Sequence, residues 1–459
     1  MSDNRPIDTA QGENAQRYAR RQFLKRSVMA GTGVGAAAVL GLSTEGSKLG
    51  AVAARAATAS KTRGLRYRAV GYDTGSDYHI DCTPTGTANQ LCVPSASSRT
   101  DDDLGQPISR QNWDSSQVAA DFAALRDQLH CNAVMVFGSN NDRIIEASTY
   151  ALRAGLTVMI EPRVVDFPQS LFLANLADLA PRAEALRQRY RTVILSLGLE
   201  FGLFAPGMVA GDTWIERLPG YIVGSRQQNF YDNLNAFLSS LRSVVRPSFA
   251  GPITYASTMV ENGGPNGDGV NGLDWSAFDI VGVDDYYGGQ LDYANQATGS
   301  ATYASQLLTL TRWNKPIAVC EYGCRSFLGA DVAGPSVFVE ALPVGTVRSE
   351  QTQSDNIAQT VTIHEQQQLF WSSTYQFIDT QFPYSTLPGL DQDTKSYGIV
   401  KVVRDQYSDP ASRFHWEPKL AFGALSGFFA RYPRPNSAYV GDVSSADDDE
   451  GVLGLIPIP

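Results

Sequence analysis

Histidine and cysteine are scarce in this sequence. Of 459 residues, four are His and five are Cys. The segment His364–Gln368 lacks the second His of a zinc-protease helix, so we expect it to be a solvated helix start. Neither a Gly-x-Ser-x-Gly elbow nor a phosphate-binding loop occurs. Because the sequence has no cluster of metal ligands, we expect chemistry that uses no metal and no organic cofactor.

Basic residues are fewer than acidic residues, 37 against 47, and the formal net charge is −10. A nucleic-acid partner is therefore not expected, since phosphate binding needs clustered Lys and Arg. An acidic surface suits solubility and a neutral substrate. With 43% hydrophobic residues, the chain is long and apolar enough to bury a large core.

Long apolar runs are also missing, and no segment is expected to span a membrane. Arg20 and Arg21 precede Gln-Phe-Leu-Lys and a weakly apolar run, which together resemble a twin-arginine export signal. We expect residues 1–59 to be signal and linker, cleaved after Ala56 or Ala59, and the protein to reach the periplasm, the cell wall or the exterior. Cleavage after Ala59 removes eight basic and four acidic residues and leaves a net charge of −14.

The cysteines predict little covalent support for the fold. Cys82 and Cys92 bracket a polar loop and could form a disulfide after export. Twin-arginine substrates cross the membrane already folded, so the fold should not depend on that bond. Cys131 and Cys320 begin or lie within apolar runs and are expected to be buried packing residues.

From Leu65 onward, short apolar runs alternate with amphipathic helical patterns. The predicted strands are Tyr67–Tyr72, Ala133–Phe137, Thr157–Ile160, Val193–Leu197, Ile253–Ala256, Ile280–Val283, Ile317–Cys320 and Tyr375–Ile378. The predicted helices are Val118–Leu129, Arg143–Arg153, Leu171–Tyr190, Asn229–Val244, Tyr303–Trp313 and Pro418–Phe429. Eight strand–helix alternations predict a single-domain (β/α)8 TIM barrel over residues 60–434, followed by a polar acidic tail over residues 435–459.

Loop lengths agree with this prediction. Connections that enter the strands are short, whereas those that leave them are long, for example Thr74–Trp113 and Arg325–Ser354. A barrel whose working face lies at the carboxyl ends of its strands has this asymmetry. A doubly wound open sheet has it too and remains the alternative fold.

Two glutamates follow apolar runs at the predicted working face. Glu200 ends the fourth run and Glu321 ends the seventh. Glycoside hydrolysis needs such a pair, because one carboxylic acid protonates the leaving oxygen and a second carboxylate attacks the anomeric carbon. Side-chain alternation puts Gly198 and Glu200 on one face. The seventh run is less regular, since Val319 shares the face of Glu321.

Three further segments carry a family resemblance. Val319–Gly323 is similar to the apolar-apolar-Glu-aromatic-Gly nucleophile motif of the clan A glycoside hydrolases, and Phe278–Tyr287 resembles the sixth-strand motif of that clan. Trp416–Phe422, preceded by Tyr397–Val400, resembles its C-terminal stretch. The resemblance covers roughly residues 65–429.

The resemblance assigns roles to individual residues. It implies that Glu200 is the general acid/base and Glu321 the nucleophile. A tyrosine of the sixth strand, Tyr286 or alternatively Tyr287, would hydrogen-bond the nucleophile. The family usually has Asn before the acid/base, where it binds the sugar 2-hydroxyl, but Leu199 stands there.

Other residues are expected to contact the sugar. Asn140 or Asp284 would replace the missing Asn, and Tyr287 would lie nearby. Glu161 either binds substrate or pairs with Arg163 as a structural ion pair. The aromatic residues at strand ends that either stack on sugar faces or belong to the core are Tyr72, Phe137, Phe201 and Tyr322. The eighth strand has no tryptophan platform and offers Asp379, Gln381 and Phe382 instead.

These observations predict an exported retaining glycoside hydrolase that acts on an oligosaccharide or polysaccharide. The alternative is a catalytically inactive exported barrel that binds carbohydrate. The departure at Leu199 favours this alternative, whereas the retention of both glutamates opposes it.

The export signal is directly testable. Replacing Arg20 and Arg21 together by Lys should trap the precursor in the cytoplasm, because the paired arginine is the recognised element. Fractionation of cells followed by immunoblotting measures the change. Unchanged export of the double variant would show that the assignment is wrong.

Overall fold

The computed structural model describes residues 64–78, 80–81, 93–94, 109–222, 229–262, 272–287, 300–333, 345–387 and 389–432. The predicted signal, the acidic tail and the proposed disulfide between Cys82 and Cys92 lie outside the described residues. They therefore stay predictions.

Eight parallel strands close into a barrel in which each strand pairs with its neighbours in sequence. The strands are β1 (Tyr67–Asp73), β2 (Ala133–Gly138), β3 (Thr157–Pro162), β4 (Val193–Leu199), β5 (Ile253–Thr258), β6 (Val281–Asp284), β7 (Ile317–Tyr322) and β8 (Trp371–Thr374). Pairing of Tyr67 with Trp371 joins β8 to β1 and closes the ring. The predicted (β/α)8 TIM barrel is confirmed, and a closed ring excludes the open-sheet alternative.

Helices follow most of the strands. They are α1 (Ser115–Asp127), α2 (Asn141–Arg153), α3 (Gln169–Tyr190), α4 (Phe201–Phe204), α5 (Trp214–Ile222), α6 (Phe230–Val245), α7 (Ser300–Thr309), α8 (Ala330–Ala333), α9 (Glu350–Gln366) and α10 (Leu420–Phe429). Single 3₁₀ turns cover Leu310–Trp313 and Gln392–Lys395. The described part of the connection between β5 and β6 contains no helix.

Helix α1 shows how the sequence forms these elements. Asp114 caps its N-terminus by accepting hydrogen bonds from the Ser116 and Gln117 amides. Its buried face presents Phe122 and Leu125 to the barrel. Burial of each such side chain stabilises the fold by about 1.5–3 kcal/mol.

Two short antiparallel strand pairs lie outside the barrel sheet. Strands β9 (Val400–Arg404) and β10 (Phe414–Pro418) form a hairpin ahead of α10. The indole Nε1 of Trp416 donates to Asp121 Oδ1 of α1 at 2.8 Å and ties this hairpin to the barrel. A second pair, Ile80–Asp81 with Val93–Pro94, lies in the connection after β1.

The eighth strand differs from its predicted position. We predicted Tyr375–Ile378, but the strand is Trp371–Thr374, and the more apolar segment follows its end. The polar side chains of β8 form hydrogen bonds with residues of other elements. Thr374 Oγ1 donates to Tyr322 Oη at 2.7 Å, and Ser372 Oγ hydrogen-bonds the His364 ring at 2.8 Å. Apolar pattern alone does not detect a buried polar strand.

Helix α9 was not predicted, and the interpretation of His364 was wrong. His364 lies in the last turn of α9 rather than at a helix start, and it is fully buried. Its Nε2 hydrogen-bonds Tyr303 Oη at 2.8 Å. Burial lowers the pKa of His364 to about 3, so the ring is neutral at physiological pH. Cys131 and Cys320 are buried with free thiols, as predicted.

Close packing inside the barrel predicts that Gly282 does not tolerate a larger side chain. A Cβ on Gly282 of β6 would lie 2.6 Å from Thr254 Oγ1 and would also clash with the Tyr255 carbonyl oxygen. Gly282→Ala should therefore lower the free energy of unfolding by roughly 1–3 kcal/mol, the usual cost of overpacking. Urea unfolding measures this change.

Gly423→Ala is the matched control. Gly423 lies in α10, where an added Cβ meets nothing within 4 Å. Alanine there should stabilise the protein by about 0.5–1 kcal/mol, because it reduces the entropy of the unfolded chain. Equal effects of the two substitutions would contradict the packing argument.

Candidate active site

Charged side chains from several strand ends meet at the C-terminal end of the barrel. Glu321 and Asp284 are paired in register on the adjacent strands β7 and β6. The charges of Glu321, Glu200, Glu161 and Arg163 all act on Asp284. The two glutamates predicted from the fourth and seventh runs therefore belong to one cluster, in which Arg163 provides positive charge.

A β-bulge in β7 directs Glu321 into this cluster. Val283 pairs with Val319, but the next residue, Asp284, pairs with Glu321, so β7 carries one extra residue at Cys320. Cys320 also faces the interior, since a Cβ on Gly282 would lie 3.2 Å from its Sγ. Bulges re-aim side chains in this way. The irregular alternation of the seventh run therefore has a structural cause.

Glu321 is held by two donors. Arg163 Nη2 contacts Oε1, and Tyr286 Oη donates to Oε2 at 2.8 Å. Each carboxylate oxygen thus has a hydrogen-bond partner. Arg163 brings a positive charge into direct contact with the carboxylate. Of the two tyrosines considered from the sequence, Tyr286 contacts Glu321.

Arg163 is the centre of a buried network. The sequence predicted only its possible pairing with Glu161. It is 1% exposed, and its Nη1 donates to Tyr78 Oη at 2.5 Å. The guanidinium also pairs with Glu161 Oε1 at 3.0 Å, so the ion-pair alternative for Glu161 is present. Its Cζ lies 3.5 Å from the ring centroid of Phe137, which supports the guanidinium from one side.

Glu161 is fully buried within this network. Its Oε2 has no hydrogen-bond partner among the described residues. Burial, opposed by the positive charge of Arg163, raises the pKa of Glu161 to about 7. Glu161 therefore forms an ion pair with Arg163 inside the barrel and is not exposed to solvent.

Glu200 has a different environment. The pairing of β4 with β5 shifts between Ser196 and Leu199, and Gly198 adopts a φ of +133° there. Glu200 itself is left-handed, with φ 40° and ψ 46°, and is half-buried. Burial, together with the negative charges of Glu321 and Glu261, raises its pKa well above the ordinary value. The environment of Glu200 therefore differs from that of Glu321, which is held by two donors.

A buried pair stabilises the strained Glu200 backbone. Left-handed geometry costs a non-glycine residue roughly 1–3 kcal/mol. The Phe201 amide donates to Tyr255 Oη at 2.5 Å, and the Gly202 amide donates to Glu261 Oε1 at 2.7 Å. Tyr255 Oη in turn donates to Glu261 Oε2 at 2.9 Å.

Sequence reasoning missed Glu261. It is fully buried and follows β5 by three residues. The only signal in the sequence is an acidic residue in the connection after an apolar run, which is a common surface feature.

Asp284 and Asn140 were alternatives for the missing Asn before Glu200. Asp284 is 5% exposed, lies in the cluster and has no hydrogen-bond partner for either carboxylate oxygen in the described part of the chain. Burial, reinforced by Glu321 and Glu200, raises its pKa well above the ordinary range. Asn140 instead caps α2 by accepting from the Arg143 amide at 3.1 Å. The structure therefore brings Asp284 into the charge cluster, whereas the contact it shows for Asn140 is that of a helix cap.

Two strand aromatics expected near the sugar contact outer elements. Tyr72 Oη donates to Asp121 of α1 at 2.7 Å, and the Tyr322 ring packs against His364 of α9 at 4.7 Å between centroids. These side chains face the helix layer, because successive residues of a strand point to opposite faces.

Phe201 and Tyr287 also lie away from the charge cluster. Phe201 packs against Phe172 of α3, with 5.5 Å between ring centroids. Tyr287 Oη accepts from Gln359 of α9 at 2.9 Å. Both residues lie beyond strand ends, where strand alternation no longer sets the direction of a side chain. Among Tyr72, Phe137, Phe201 and Tyr322, Phe137 is the one that contacts Arg163.

The described residues contain neither a cluster of metal ligands nor a membrane-spanning helix. Within the described residues, no group of three or more His, Cys, Asp or Glu side chains is arranged to hold a metal ion. No described helix combines the length and apolarity of a membrane span. Cofactor-free chemistry stays a prediction.

Comparison with known proteins gives distant structural likenesses. No protein-family model matches the chain, and no curated protein matches it. A GH113 β-mannanase from Alicyclobacillus acidocaldarius is similar, with 14% identity, a TM-score of 0.44, and 71% of this chain and 95% of that chain covered. Thermotoga maritima Cel5A, solved with mannotriose, has 14% identity and a TM-score of 0.38 over 60% and 88% of the two chains.

A third neighbour is a β-glucuronidase from Bacteroides uniformis. It shows 13% identity and a TM-score of 0.43, with 73% of this chain and 33% of that chain covered. At such identities and TM-scores, these likenesses carry no argument about the chemistry or the substrate of this chain. The barrel itself rests on the strand pairing described above.

The buried Glu261 carboxyl predicts a pH-dependent stability. Burial raises its pKa to about 7, against 4.5 for an exposed Glu. An acid with a raised folded-state pKa contributes stability below its unfolded pKa, and this contribution is lost as pH rises through the folded pKa. Between pH 5 and pH 8 the loss from Glu261 alone should be about 2–3 kcal/mol.

Glu261→Gln should reduce this fall, because Gln keeps the shape and does not ionise. Urea unfolding of both proteins at pH 5 and pH 8 measures the difference. Glu417→Gln, in the exposed part of the β9–β10 hairpin, controls for the loss of a surface carboxyl. An equal fall in the wild type and in Glu261→Gln would show that Glu261 is already ionised when buried.

Proposed function

We propose that this protein is an exported retaining glycoside hydrolase that acts on an oligosaccharide or polysaccharide. The observation that carries the proposal is the opposite environment of two glutamates at one barrel end. Glu321 accepts hydrogen bonds from Arg163 and Tyr286, and the Arg163 guanidinium is positively charged. Glu200 has no donor among the described residues, and its pKa is raised by burial and by neighbouring carboxylates. Glycoside hydrolysis by two carboxyls requires this division.

In the first step, the ionised Glu321 attacks the anomeric carbon. The Glu200 proton moves to the glycosidic oxygen while the bond between that oxygen and the anomeric carbon breaks. The product is a covalent glycosyl–enzyme, and the leaving sugar departs as an alcohol. Glu200 is now ionised.

In the second step, Glu200 acts as the base. Water attacks the anomeric carbon, gives its proton to Glu200, and displaces the Glu321 carboxylate. Two inversions give net retention of configuration. Retaining enzymes place the two carboxyl groups about 5–5.5 Å apart, and this is the separation we expect for Glu200 and Glu321.

Arg163 and Tyr286 position the nucleophile. Arg163 remains charged because guanidinium does not deprotonate in proteins, so it neutralises Glu321 before attack and again when the carboxylate leaves. Tyr286 fixes the second oxygen and leaves the carboxylate little freedom to rotate. Asp284 lies beside the nucleophile and supplies oxygens for a sugar hydroxyl in place of the Asn missing at position 199.

Export and location are part of the proposal. The twin-arginine pattern at Arg20 and Arg21 supports secretion of the folded enzyme to the periplasm, cell wall or exterior. The acidic composition supports a carbohydrate rather than a nucleic-acid partner.

Substitution of the two glutamates tests the mechanism. Glu321→Gln should lower kcat by about 10⁴-fold or more, because a neutral amide cannot form the covalent intermediate. Glu200→Gln should preserve the first step on aryl glycosides with good leaving groups and slow release of the intermediate. Azide should restore turnover of Glu200→Gln by replacing activated water. The exposed variant Glu417→Gln serves as the control.

Two measurements decide between hydrolysis and simple binding. Proton NMR of the first-formed sugar should show the retained anomer. The rate on unactivated substrates should fall on the alkaline side as Glu200 loses its proton, and this fall should be absent in the first step of Glu200→Gln. An inverted product, or normal activity of a folded Glu321→Gln, contradicts the mechanism. Binding of glycans without turnover by the wild type would identify an inactive carbohydrate-binding barrel.

A further inference from the structure

Arg325 is a buried guanidinium without an acceptor. It lies four residues after Glu321, beyond the end of β7, and is 6% exposed. Its Nε is buried without a hydrogen-bond partner. Within the described part of the chain, no carboxylate or carbonyl oxygen accepts from its side chain. Its Cζ lies 4.9 Å from the ring centroid of Phe327, a contact that provides no acceptor for the guanidinium N–H groups.

Other buried arginines of the barrel have at least one acceptor, although Arg68 and Arg110 also keep an Nε that has no partner among the described residues. Three of them contact a carboxylate, in the pairs Arg110–Asp121, Arg163–Glu321 and Arg217–Asp166. Arg404 and Arg68 donate to main-chain carbonyl oxygens. Arg325 differs from both groups. A guanidinium cannot escape its burial by losing a proton, so an unpaired one indicates a missing anion.

A second cation reinforces the positive charge at this point. Lys395, in the 3₁₀ turn after β8, is 4% exposed. Burial and the positive charge of Arg325 lower the pKa of Lys395 to about 8. The two cations therefore lie close enough to repel each other. An anion bound to Arg325 would relieve this repulsion and favour the charged form of Lys395.

Tyr397 connects Arg325 to the proposed reaction site. Its ring contacts Tyr286, with 6.0 Å between centroids, and Tyr286 holds Glu321. Burial raises the pKa of Tyr397 to about 12, and the charges of Arg325 and Glu321 act on the same hydroxyl in opposite directions. Gln353 Nε2 donates to the main-chain oxygens of Cys324 and Tyr397, so the segment that carries Arg325 is tied to the tyrosine pair that contacts the nucleophile.

We propose that Arg325 binds an anionic substituent of the carbohydrate substrate, either the carboxylate of a uronic acid residue or a sulfate ester. Both groups present paired oxygens that match the planar guanidinium fork. The proposal depends on the proposed function for the carbohydrate nature of the ligand. It replaces the expectation of a neutral substrate. That expectation came from the negative net charge of the whole chain, whereas the local charge at Arg325 is positive.

A binding experiment tests Arg325 without any need for turnover. Sodium glucuronate and sodium sulfate are titrated into the mature protein by calorimetry, against sodium chloride of equal ionic strength and against glucose. We expect one of the two anions to bind and glucose to bind more weakly. Arg325→Gln should weaken anion binding roughly 10- to 100-fold, as expected for loss of a charged hydrogen-bonding group. Binding of glucuronate identifies the carboxylate, and binding of sulfate alone identifies the ester.

Two variants serve as controls. Arg413→Gln removes a charge from a side chain that is 84% exposed and should leave anion binding unchanged. Arg325→Lys keeps the charge but loses the bidentate geometry, and it should bind with intermediate affinity. Should Arg325→Gln fail to fold, by circular dichroism, the comparison of wild type with Arg325→Lys decides the question.

Kinetics provide the second test. Arg325→Gln should lower kcat/KM for aryl uronides or sulfated aryl glycosides by the same factor and leave neutral aryl glycosides unaffected. Absence of anion binding to the wild type, or equal binding by the wild type and Arg325→Gln, overturns the proposal. Anion binding that depends on Arg325 in a protein with no hydrolase activity would instead refute the proposed function and retain the site.

Discussion

The contact between Arg163 and Glu321 is the interaction on which the rest of the site depends. Carboxyls crowd this barrel end, and each would be protonated or repelled without a cation among them. Arg163 supplies that cation, rests on the ring of Phe137 and is oriented by Glu161 and Tyr78. The guanidinium contacts Glu321, whereas burial and neighbouring carboxylates raise the pKa of Glu200 and of Asp284. Two chemically equal glutamates thereby have different surroundings, and the proposed mechanism depends on this difference.

The backbone makes this arrangement possible through two local irregularities. An extra residue in β7 turns Glu321 into the barrel, and a register shift at Gly198 precedes the left-handed Glu200. In a regular strand, successive side chains point to opposite faces, so the directions of Glu200 and Glu321 could not be fixed independently. The strain at Glu200 is offset by hydrogen bonds from the adjacent turn to Tyr255 and Glu261. The geometry of the candidate site is therefore a property of bulges and turns superimposed on a regular barrel.

Charge is distributed unevenly over the protein. The chain as a whole is acidic, yet Arg325 and Lys395 are buried cations in the segments that follow β7 and β8. A net charge averages over surfaces that a ligand never meets, whereas a desolvated guanidinium acts at short range in a medium of low polarity. Composition alone therefore predicted a neutral substrate, and burial of two particular side chains points to an anionic one.

The sequence by itself determined the barrel and its two glutamates, because period-2 apolar runs and long carboxyl-end loops are local patterns. Tyr286 also followed from its motif. Only the tertiary structure decided the position of β8, whose polar residues are satisfied by distant partners, and the choice of Asp284 over Asn140. It also revealed that Arg163 contacts Glu321 across 158 residues of chain. Bulges and long-range partners leave no periodic trace in a sequence, so packing alone could reveal them.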